Sequence, residues 1–382
     1  MENIENSSII IVDDEQPILS SLKSLLRKED YDITIVDNPK EAIGLLFRNK
    51  YDIIISDMRM PEINGIAVLE KAAEFNPNSF RIILSGYEDK NIVFGAIAVG
   101  YAHAYMLKPW EDNFLKDVLK RSSRIVKNII KVDNKDFLGK LNSLPVENKY
   151  LDYIKSIINN EDVSIEQIAK IVEESPGLLS KILHLANSVY IGVVGRITSA
   201  KEAIHFLGLS YVLSLLSTFE ILNSYYNSLP ISVKNFISEW LNIASNRAKI
   251  FEKIIPEFDN TKKDVGLISC MYWDLALLIE ACLFPEQITK IQSNKYLNTR
   301  EKAKEIFGEN YFYLATLLLE MWNFPESIIH NIKDVINNNY QNNLVQLIIL
   351  SDMITLNIEI NDKFPSEIRE KYLYLKSKNK FN

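Results

Sequence analysis

Short runs of β-branched and aromatic residues alternate with amphipathic helical segments along the first 130 residues. The predicted strands cover residues 8–12, 31–36, 51–56, 80–85 and 103–107. The amphipathic segments lie near residues 15–29, 39–49, 64–75 and 89–99, and from residue 111 onward. Because alternating strands and helices form parallel sheets covered on both faces, this pattern predicts an α/β, doubly wound, five-stranded parallel sheet.

The pattern changes near residue 135, where β-branched alternation ends and helical periodicity continues to the end of the chain. Ser164-x-x-Gln167 and Ser199-x-x-Glu202 each match a capping box, which opens a helix. The sequence therefore predicts an all-helical second region. Its last residues, 371–382, are polar and rich in lysine, so we expect them to fray.

The segment that joins the two regions has a short heptad pattern. Its a and d positions are Leu115, Val118, Ser122, Ile125, Ile129 and Val132. A helix that pairs with a partner helix has this pattern. The last helix of the predicted α/β unit would show the same pattern if its inner face packed on the sheet and the helix then continued as a rigid spacer. Both interpretations stay open.

Polar side chains follow four of the five predicted strands. Asp13 and Asp14 end the first strand, Asp57 the third, Ser85 the fourth and Lys108 the fifth. Functional residues of such sheets gather at the carboxyl ends of the strands. Three carboxylates, a hydroxyl and an ammonium are thus predicted to converge at one edge, which suits a carboxylate that accepts a phosphoryl group beside a cation.

Composition removes several function classes. Residues 1–130 carry 16 basic and 20 acidic side chains and the rest 27 and 30, so neither half has the basic excess of a nucleic-acid binder. No signal peptide and no uninterrupted apolar span is evident, which favours a cytoplasmic protein without a membrane segment. Two cysteines, Cys270 and Cys282, lie in an apolar stretch and are predicted to be buried thiols.

Four stretches resemble the receiver domain of two-component response regulators, a CheY-like, flavodoxin-like fold. They are IIVDDE at 10–15, DMRMPEING at 57–65, ILSGY at 83–87 and YMLKPW at 105–110. The resemblance implies that Asp57 is the phospho-acceptor. It also implies that Asp14, Asp57 and the backbone carbonyl of Arg59 hold Mg²⁺, with Asp13 acting near the metal through water.

The same resemblance assigns the remaining roles in the receiver. Ser85 and Lys108 would bind the phosphoryl oxygens and complete the catalytic set with Asp57. Ser85 and Tyr105 would form the switch, in which Ser85 moves toward the phosphate and Tyr105 swings inward. Arg59 and Tyr87 occupy positions that tune the lifetime of the phosphate.

The second region resembles the HDOD domain, a helical relative of the HD phosphohydrolases. The matching stretches are LNSLP at 141–145, IAKIV at 168–172, SPGLLSKIL at 175–183, ANS at 186–188 and AIHFLG at 203–208, with FG at 307–308 and WNFP at 322–325. We expect a receiver at 1–125, a helical linker at 126–136, the HDOD domain at 137–345, and a final helix with a polar tail at 346–382.

HDOD domains act as regulatory or scaffolding modules, so the resemblance implies a non-catalytic output that has no cofactor of its own. The alternative is an HD-type metal-dependent phosphohydrolase that cleaves cyclic dinucleotides. That enzyme needs clustered His and Asp ligands, whereas Trp273-Asp274 stands where a His-Asp pair is sought and Tyr311 where a later histidine is expected. The four histidines, at 103, 184, 205 and 330, are dispersed. A nucleic-acid-binding regulator has the least support.

These expectations describe a response regulator of a two-component phosphorelay. The receiver implies a sensor histidine kinase or a phosphotransfer protein as the phosphodonor. Phosphorylation of Asp57 would alter the 87–110 face and control which protein binds the HDOD domain. Because receivers often dimerise through that face, a phosphorylation-dependent homodimer is a further expectation.

Overall fold

The computed structural model describes residues 6–86, 89–131, 145–157, 163–190, 196–222, 224–291, 296–308, 311–361 and 364–378. The chain divides into two compact units. The first contains Met1–Asn142 with the short segments His184–Gly195 and Met321–Asn323, and the second contains Ser143–Leu183, Arg196–Glu320 and Phe324–Asn382.

The amino-terminal unit has the alternating strands and helices that the sequence predicts. The strands are β1 (Ser7–Val12), β2 (Tyr31–Val36), β3 (Ile53–Asp57), β4 (Phe80–Ser85) and β5 (Ala104–Leu107). The helices are α1 (Gln16–Leu26), α2 (Pro39–Arg48), α3 (Gly65–Phe75), α4 (Lys90–Val99) and α5 (Asp112–Lys131). Each observed strand begins and ends within two residues of its predicted limits.

All strand pairs are parallel, in the order β2-β1-β3-β4-β5. The β-branched and aliphatic runs of β1, β3 and β4 are fully buried, because helices cover both faces of a parallel sheet. The predicted five-stranded fold is confirmed. A two-residue strand, β6 (Val189–Tyr190), adds to the β5 edge in parallel; so short a strand has no sequence signal, but it pairs backbone groups that an edge strand leaves open.

Helix α5 is continuous to Lys131, and its apolar side packs on the sheet. It contacts β3 and β4. Leu115, Val118, Ser122 and Ile125 are all at most 3% exposed. Packing of the inner helix face accounts for this part of the heptad pattern, while the side chain of Ile129 and all of Val132 lie outside the described residues.

All regular secondary structure described in the second region is helical apart from β6. Its helices are α6 (Asn148–Ile157), α7 (Ile165–Glu174), α8 (Pro176–Ser188), α9 (Ala200–Leu207), α10 (Leu209–Leu222), α11 (Ser224–Ser228), α12 (Ile231–Ile254), α13 (Lys263–Tyr272), α14 (Leu275–Leu283), α15 (Pro285–Ile291), α16 (Tyr296–Phe307), α17 (Tyr313–Met321), α18 (Glu326–Ile336), α19 (Asn343–Thr355) and α20 (Ser366–Ser377). Two 3₁₀ turns, Ile255–Glu257 and Asn260–Lys262, join α12 to α13.

The predicted helix starts are confirmed at atomic detail. Ser164 and Gln167 form a reciprocal capping box at the start of α7. The Ser199 hydroxyl accepts from the Glu202 backbone N–H at the start of α9. These bonds satisfy amide groups that the first turn of a helix leaves without partners.

The core of the second unit includes an apolar stretch, Lys263–Leu283, which covers α13 and α14. Among the described residues it alone passes a length-and-hydropathy test for a membrane span, but 89% of that window is buried inside the structure. Core packing therefore accounts for its apolar character. Cys270 and Cys282 lie in it as buried free thiols, as predicted.

Candidate phosphoryl-acceptor site

Three of the predicted residues meet at the carboxyl edge of the sheet. Asp13 follows β1, Asp57 ends β3 and Lys108 follows β5. The Lys108 ammonium lies 2.7 Å from Asp13 Oδ2 and forms a second, closer ion pair with Asp57 Oδ1. Asp13 is fully buried and Asp57 is 5% exposed. Residues up to 95 positions apart in the chain thus form one charged cluster.

Burial and the lysine act on Asp57 in opposite directions. Burial raises the pKa of the Asp57 carboxyl, and the Lys108 ammonium and the Arg59 backbone N–H lower it without cancelling the rise. For Lys108, burial lowers the pKa, but its bonds with Asp13 and Asp57 outweigh burial and raise it. The lysine is therefore a fixed positive charge beside the Asp57 carboxylate.

The loop after Asp57 folds closely over that residue. Arg59 donates its backbone N–H to Asp57 Oδ2 at 2.8 Å. Gly65, the first residue of α3, lies so near that a Cβ atom there would stand 1.9 Å from the Asp57 carbonyl oxygen. The Asn64 side chain caps α3 by accepting from the Ala67 N–H. Glycine is needed at this position because a side chain would displace the backbone of Asp57.

The other predicted residues lie differently. The Ser85 hydroxyl donates to Asp89 Oδ2 at 2.7 Å. Tyr105 is already inward, 1% exposed, with its hydroxyl donating to the Gly86 carbonyl at 3.0 Å, so its switch role stays a prediction with an inward starting position. Asp14 is exposed. Tyr87 lies outside the described residues.

The carboxylates do not form a closed metal cage. Within the part of the chain that the structure describes, no three His, Cys, Asp or Glu side chains are arranged to hold a metal ion. Asp13 and Asp57 face the lysine instead. The available donors are nevertheless all oxygen atoms at one sheet edge, which is the chemistry that Mg²⁺ prefers, and Mg²⁺ keeps several water ligands.

Sequence reasoning missed one residue of this site. Asp89 receives hydrogen bonds from Ser85 and from the guanidinium group of Arg59, the latter at 2.8–3.0 Å. The only local signal was an acidic residue at the start of the predicted helical segment 89–99, a place where aspartate ordinarily indicates an N-cap.

Comparison with known families identifies both domains of the chain. Residues 9–120 match the response regulator receiver domain, and residues 144–337, half of the chain, match the HDOD domain. The chain is an HDOD-family response regulator. Its described receiver residues include all of the predicted strand-end residues, and its HDOD match begins close to the predicted boundary.

Individual relatives match parts of this response regulator. A hydrogenase transcriptional regulatory protein, HoxA, of Cupriavidus necator is 30% identical over 118 residues, which are 31% of this chain and 24% of the relative. The chain thus matches about a quarter of that protein's length. An uncharacterized response regulatory protein of Staphylococcus epidermidis is 25% identical over 240 residues, covering 61% of this chain and 90% of the relative. The MmoQ response regulator structure from Methylococcus capsulatus has a TM-score of 0.47 at 18% identity, covering 60% of this chain and 93% of that one.

The second compact unit contains a buried network of two arginines and two aspartates, three of them in the HDOD match and Asp352 after it. Arg247 pairs with Asp274 and, at 2.7 Å, with Asp352. Arg300 pairs with the same two carboxylates, each at 2.7 Å. Arg247 and both aspartate side chains are at most 1% exposed. Each aspartate therefore contacts two guanidinium groups, and the network is internally compensated.

This network includes the position where the sequence suggested a metal ligand. Asp274 is the acidic residue of Trp273-Asp274, and the Trp273 ring stacks on Arg300 at 4.5 Å and on Arg247 at 4.9 Å. Tyr311, where a histidine was sought, is buried and donates its hydroxyl to the Arg300 carbonyl at 3.2 Å. Arginine groups thus occupy the surroundings of this aspartate.

The histidines do not contribute a cluster within the described residues. His205 and His330 are exposed. Burial lowers the pKa of His184 to about 4, and it also lowers the pKa of His103, whose ring contacts Arg81. The two buried imidazoles are therefore neutral near pH 7.

Proposed function

We propose that Asp57 accepts a phosphoryl group and that this modification controls partner binding by a non-catalytic HDOD domain. The observation that carries the proposal is the double ion pair of Lys108 with Asp13 and Asp57 at the carboxyl edge of the sheet. A fixed ammonium beside a buried carboxylate offsets the charge that develops on phosphoryl oxygens during transfer. The donor would be a sensor histidine kinase or a phosphotransfer protein, which act on receivers.

In the proposed reaction, an Asp57 carboxylate oxygen attacks the donor phosphorus as the bond from phosphorus to the donor breaks. Lys108 holds the carboxylate in place, and because it remains protonated it can donate a hydrogen bond to a phosphoryl oxygen. Mg²⁺ would be held by Asp14, Asp57 and the Arg59 backbone carbonyl, with Asp13 near the metal through water, and would supply positive charge that offsets the charge on the transferring group. Ser85 would donate its hydroxyl to the phosphoryl group.

Magnesium removal tests the receiver half of the proposal. The full chain, incubated with acetyl phosphate and Mg²⁺, is expected to gain one phosphoryl group by intact-mass spectrometry. With EDTA in place of Mg²⁺, incorporation should fall at least about tenfold, because the charge on the transferring group is then less well compensated. Equal incorporation with Mg²⁺ and with EDTA would contradict magnesium dependence.

The HDOD half is proposed to bind a signalling protein rather than to catalyse hydrolysis. The support is the Asp274 carboxylate, which is engaged by Arg247 and Arg300 and is buried. A carboxylate that two guanidinium groups already neutralise is a poor ligand for a second cation. The HD phosphohydrolase alternative is not favoured for this reason. In this proposal, helix α5 transmits the conformational change of the receiver to the HDOD domain. The protein would be cytoplasmic, and phosphorylation would promote its dimerisation.

An activity assay separates the two output functions. The purified chain, with Mn²⁺ or Mg²⁺ added, is expected to leave cyclic dinucleotides intact over hours, and metal analysis after dialysis should find less than one metal per chain. An HD phosphodiesterase serves as the positive control for the assay. Two retained metals together with turnover would overturn the non-catalytic assignment.

A further inference from the structure

Asp89 is the shared acceptor of two side chains that border the phosphoryl-acceptor site. The Ser85 hydroxyl donates to Asp89 Oδ2 at 2.7 Å, and Arg59 donates from Nε and Nη2 at 2.8–3.0 Å. Asp89 is 5% exposed. The Arg59 guanidinium forms an ion pair with it at 2.8 Å, so Asp89 is a buried acceptor with a positively charged partner.

Asp89 has no other described task for its carboxylate. It stands at the N-cap of α4, where an aspartate normally accepts from the backbone of the first turn. Here the side chain makes no capping hydrogen bond. Its oxygens are used by Ser85 and Arg59 instead, so the Asp89 side chain gives α4 no capping hydrogen bond and directly positions Ser85.

A serine hydroxyl has one proton to donate. In this structure the proton is directed to Asp89, with the Gly86 carbonyl as a longer acceptor at 3.3 Å. A hydroxyl that donates to Asp89 cannot donate at the same time to a phosphoryl oxygen on Asp57. Phosphoryl binding must therefore break the Ser85–Asp89 bond, which is charge-assisted and stronger than a neutral one.

We propose that Asp89 is a positioning residue that holds Ser85 in the unphosphorylated arrangement and competes with the phosphoryl group for its hydroxyl. This inference rests on the proposed function, in which Asp57 is phosphorylated and Ser85 binds the phosphoryl group. Arg59 keeps the Asp89 carboxylate in place. Because the Ser85–Asp89 hydrogen bond must break before Ser85 can bind a phosphoryl group, that bond lowers the apparent affinity of the site for the group. Asp89 therefore sets how readily the site changes to the phosphoryl-bound arrangement.

Beryllofluoride, a phosphoryl mimic, is the probe, and its binding to the full chain with Mg²⁺ is followed by ¹⁹F NMR. Asp89→Asn keeps the shape of the side chain but removes its charge, which weakens the hydrogen bond from Ser85. The beryllofluoride concentration that half-saturates this variant is therefore expected to be about tenfold lower than for wild type. Glu74→Gln is the matched control: Glu74 is an exposed partner of Lys71 in the same domain, and its loss should change nothing. Asp89→Ser, a residue that N-caps accept, provides a second variant should Asp89→Asn fold poorly.

A second background distinguishes positioning from a general effect of charge. In Ser85→Ala there is no hydroxyl to hold, so adding Asp89→Asn should give no further gain. Equal affinity of wild type and Asp89→Asn overturns the inference, as does a gain that persists without the Ser85 hydroxyl. If wild type takes neither beryllofluoride nor a phosphoryl group, the proposed function fails, and that result is distinct from either failure of the Asp89 assignment.

Discussion

Asp57→Asn is expected to abolish phosphoryl incorporation from acetyl phosphate, while the protein stays folded. The amide has no carboxylate oxygen to attack phosphorus, and no other described carboxylate shares Asp57's contacts with both Lys108 and the Arg59 N–H. Because burial already opposes ionisation of Asp57, removing the charge should not destabilise the fold. Lys108 retains Asp13 as its partner. Intact mass with and without donor measures the loss.

Asp32→Asn is the matched control for this variant. Asp32 lies on β2, is exposed, and makes the same one-charge change away from the acceptor edge. It should incorporate phosphate at the wild-type level, and thermal unfolding should show all three proteins folded. Equal phosphate in Asp57→Asn and wild type would refute Asp57 as the acceptor, and peptide mapping would then identify the residue that carries it.

The strand ends of the receiver were predictable because local pattern and topology decide them. Each buried run ends where a polar residue follows, and parallel strands bring those ends to one edge. Asp13, Asp57 and Lys108 therefore meet as expected. The hydrogen-bond partners of Ser85 and Tyr105 were not predictable from the sequence. Several acceptors lie near each hydroxyl, and the packing of the surrounding residues determines which of them accepts the hydrogen bond.

The arginine–aspartate network was beyond sequence reasoning for a different reason. Its ion pairs join residues on three helices, α12, α16 and α19, with Asp274 at the N-cap of α14, and Arg247 and Asp352 are separated by 105 positions. A lone arginine in an amphipathic helix ordinarily lies at the surface, so periodicity gives no warning that Arg247 is buried. The sequence shows that Trp273-Asp274 replaces the His-Asp pair of a metal site. It does not indicate that two arginines pair with Asp274.

Arg247→Met is expected to reduce the free energy of unfolding of the HDOD domain by about 3–5 kcal/mol, the usual cost of removing one partner from a buried ion pair. Arg247 is fully buried, and its loss leaves Asp274 and Asp352 sharing the single charge of Arg300. Chemical denaturation followed by tryptophan fluorescence suits the measurement, because Trp240 and Trp273 stack on these guanidinium groups.

Lys253→Met is the control for this variant. Lys253 is exposed on the same helix, α12, and its substitution should cost less than about 0.5 kcal/mol.

The pH dependence of the free energy of unfolding provides an independent check. Burial alone would raise the pKa of Asp274, but Arg300 and Arg247 outweigh burial and hold it below its ordinary range. A carboxyl of lowered pKa stabilises the fold above its unfolded pKa of about 3.9 and loses that contribution as the pH falls toward its folded pKa. The gap between wild type and Arg247→Met should therefore be full at pH 7 and narrow below about pH 4. A loss no larger than that of Lys253→Met would mean that the network adds no net stability. A gap that does not change with pH would instead mean that the lowered pKa of Asp274 does not contribute to the stability of the fold.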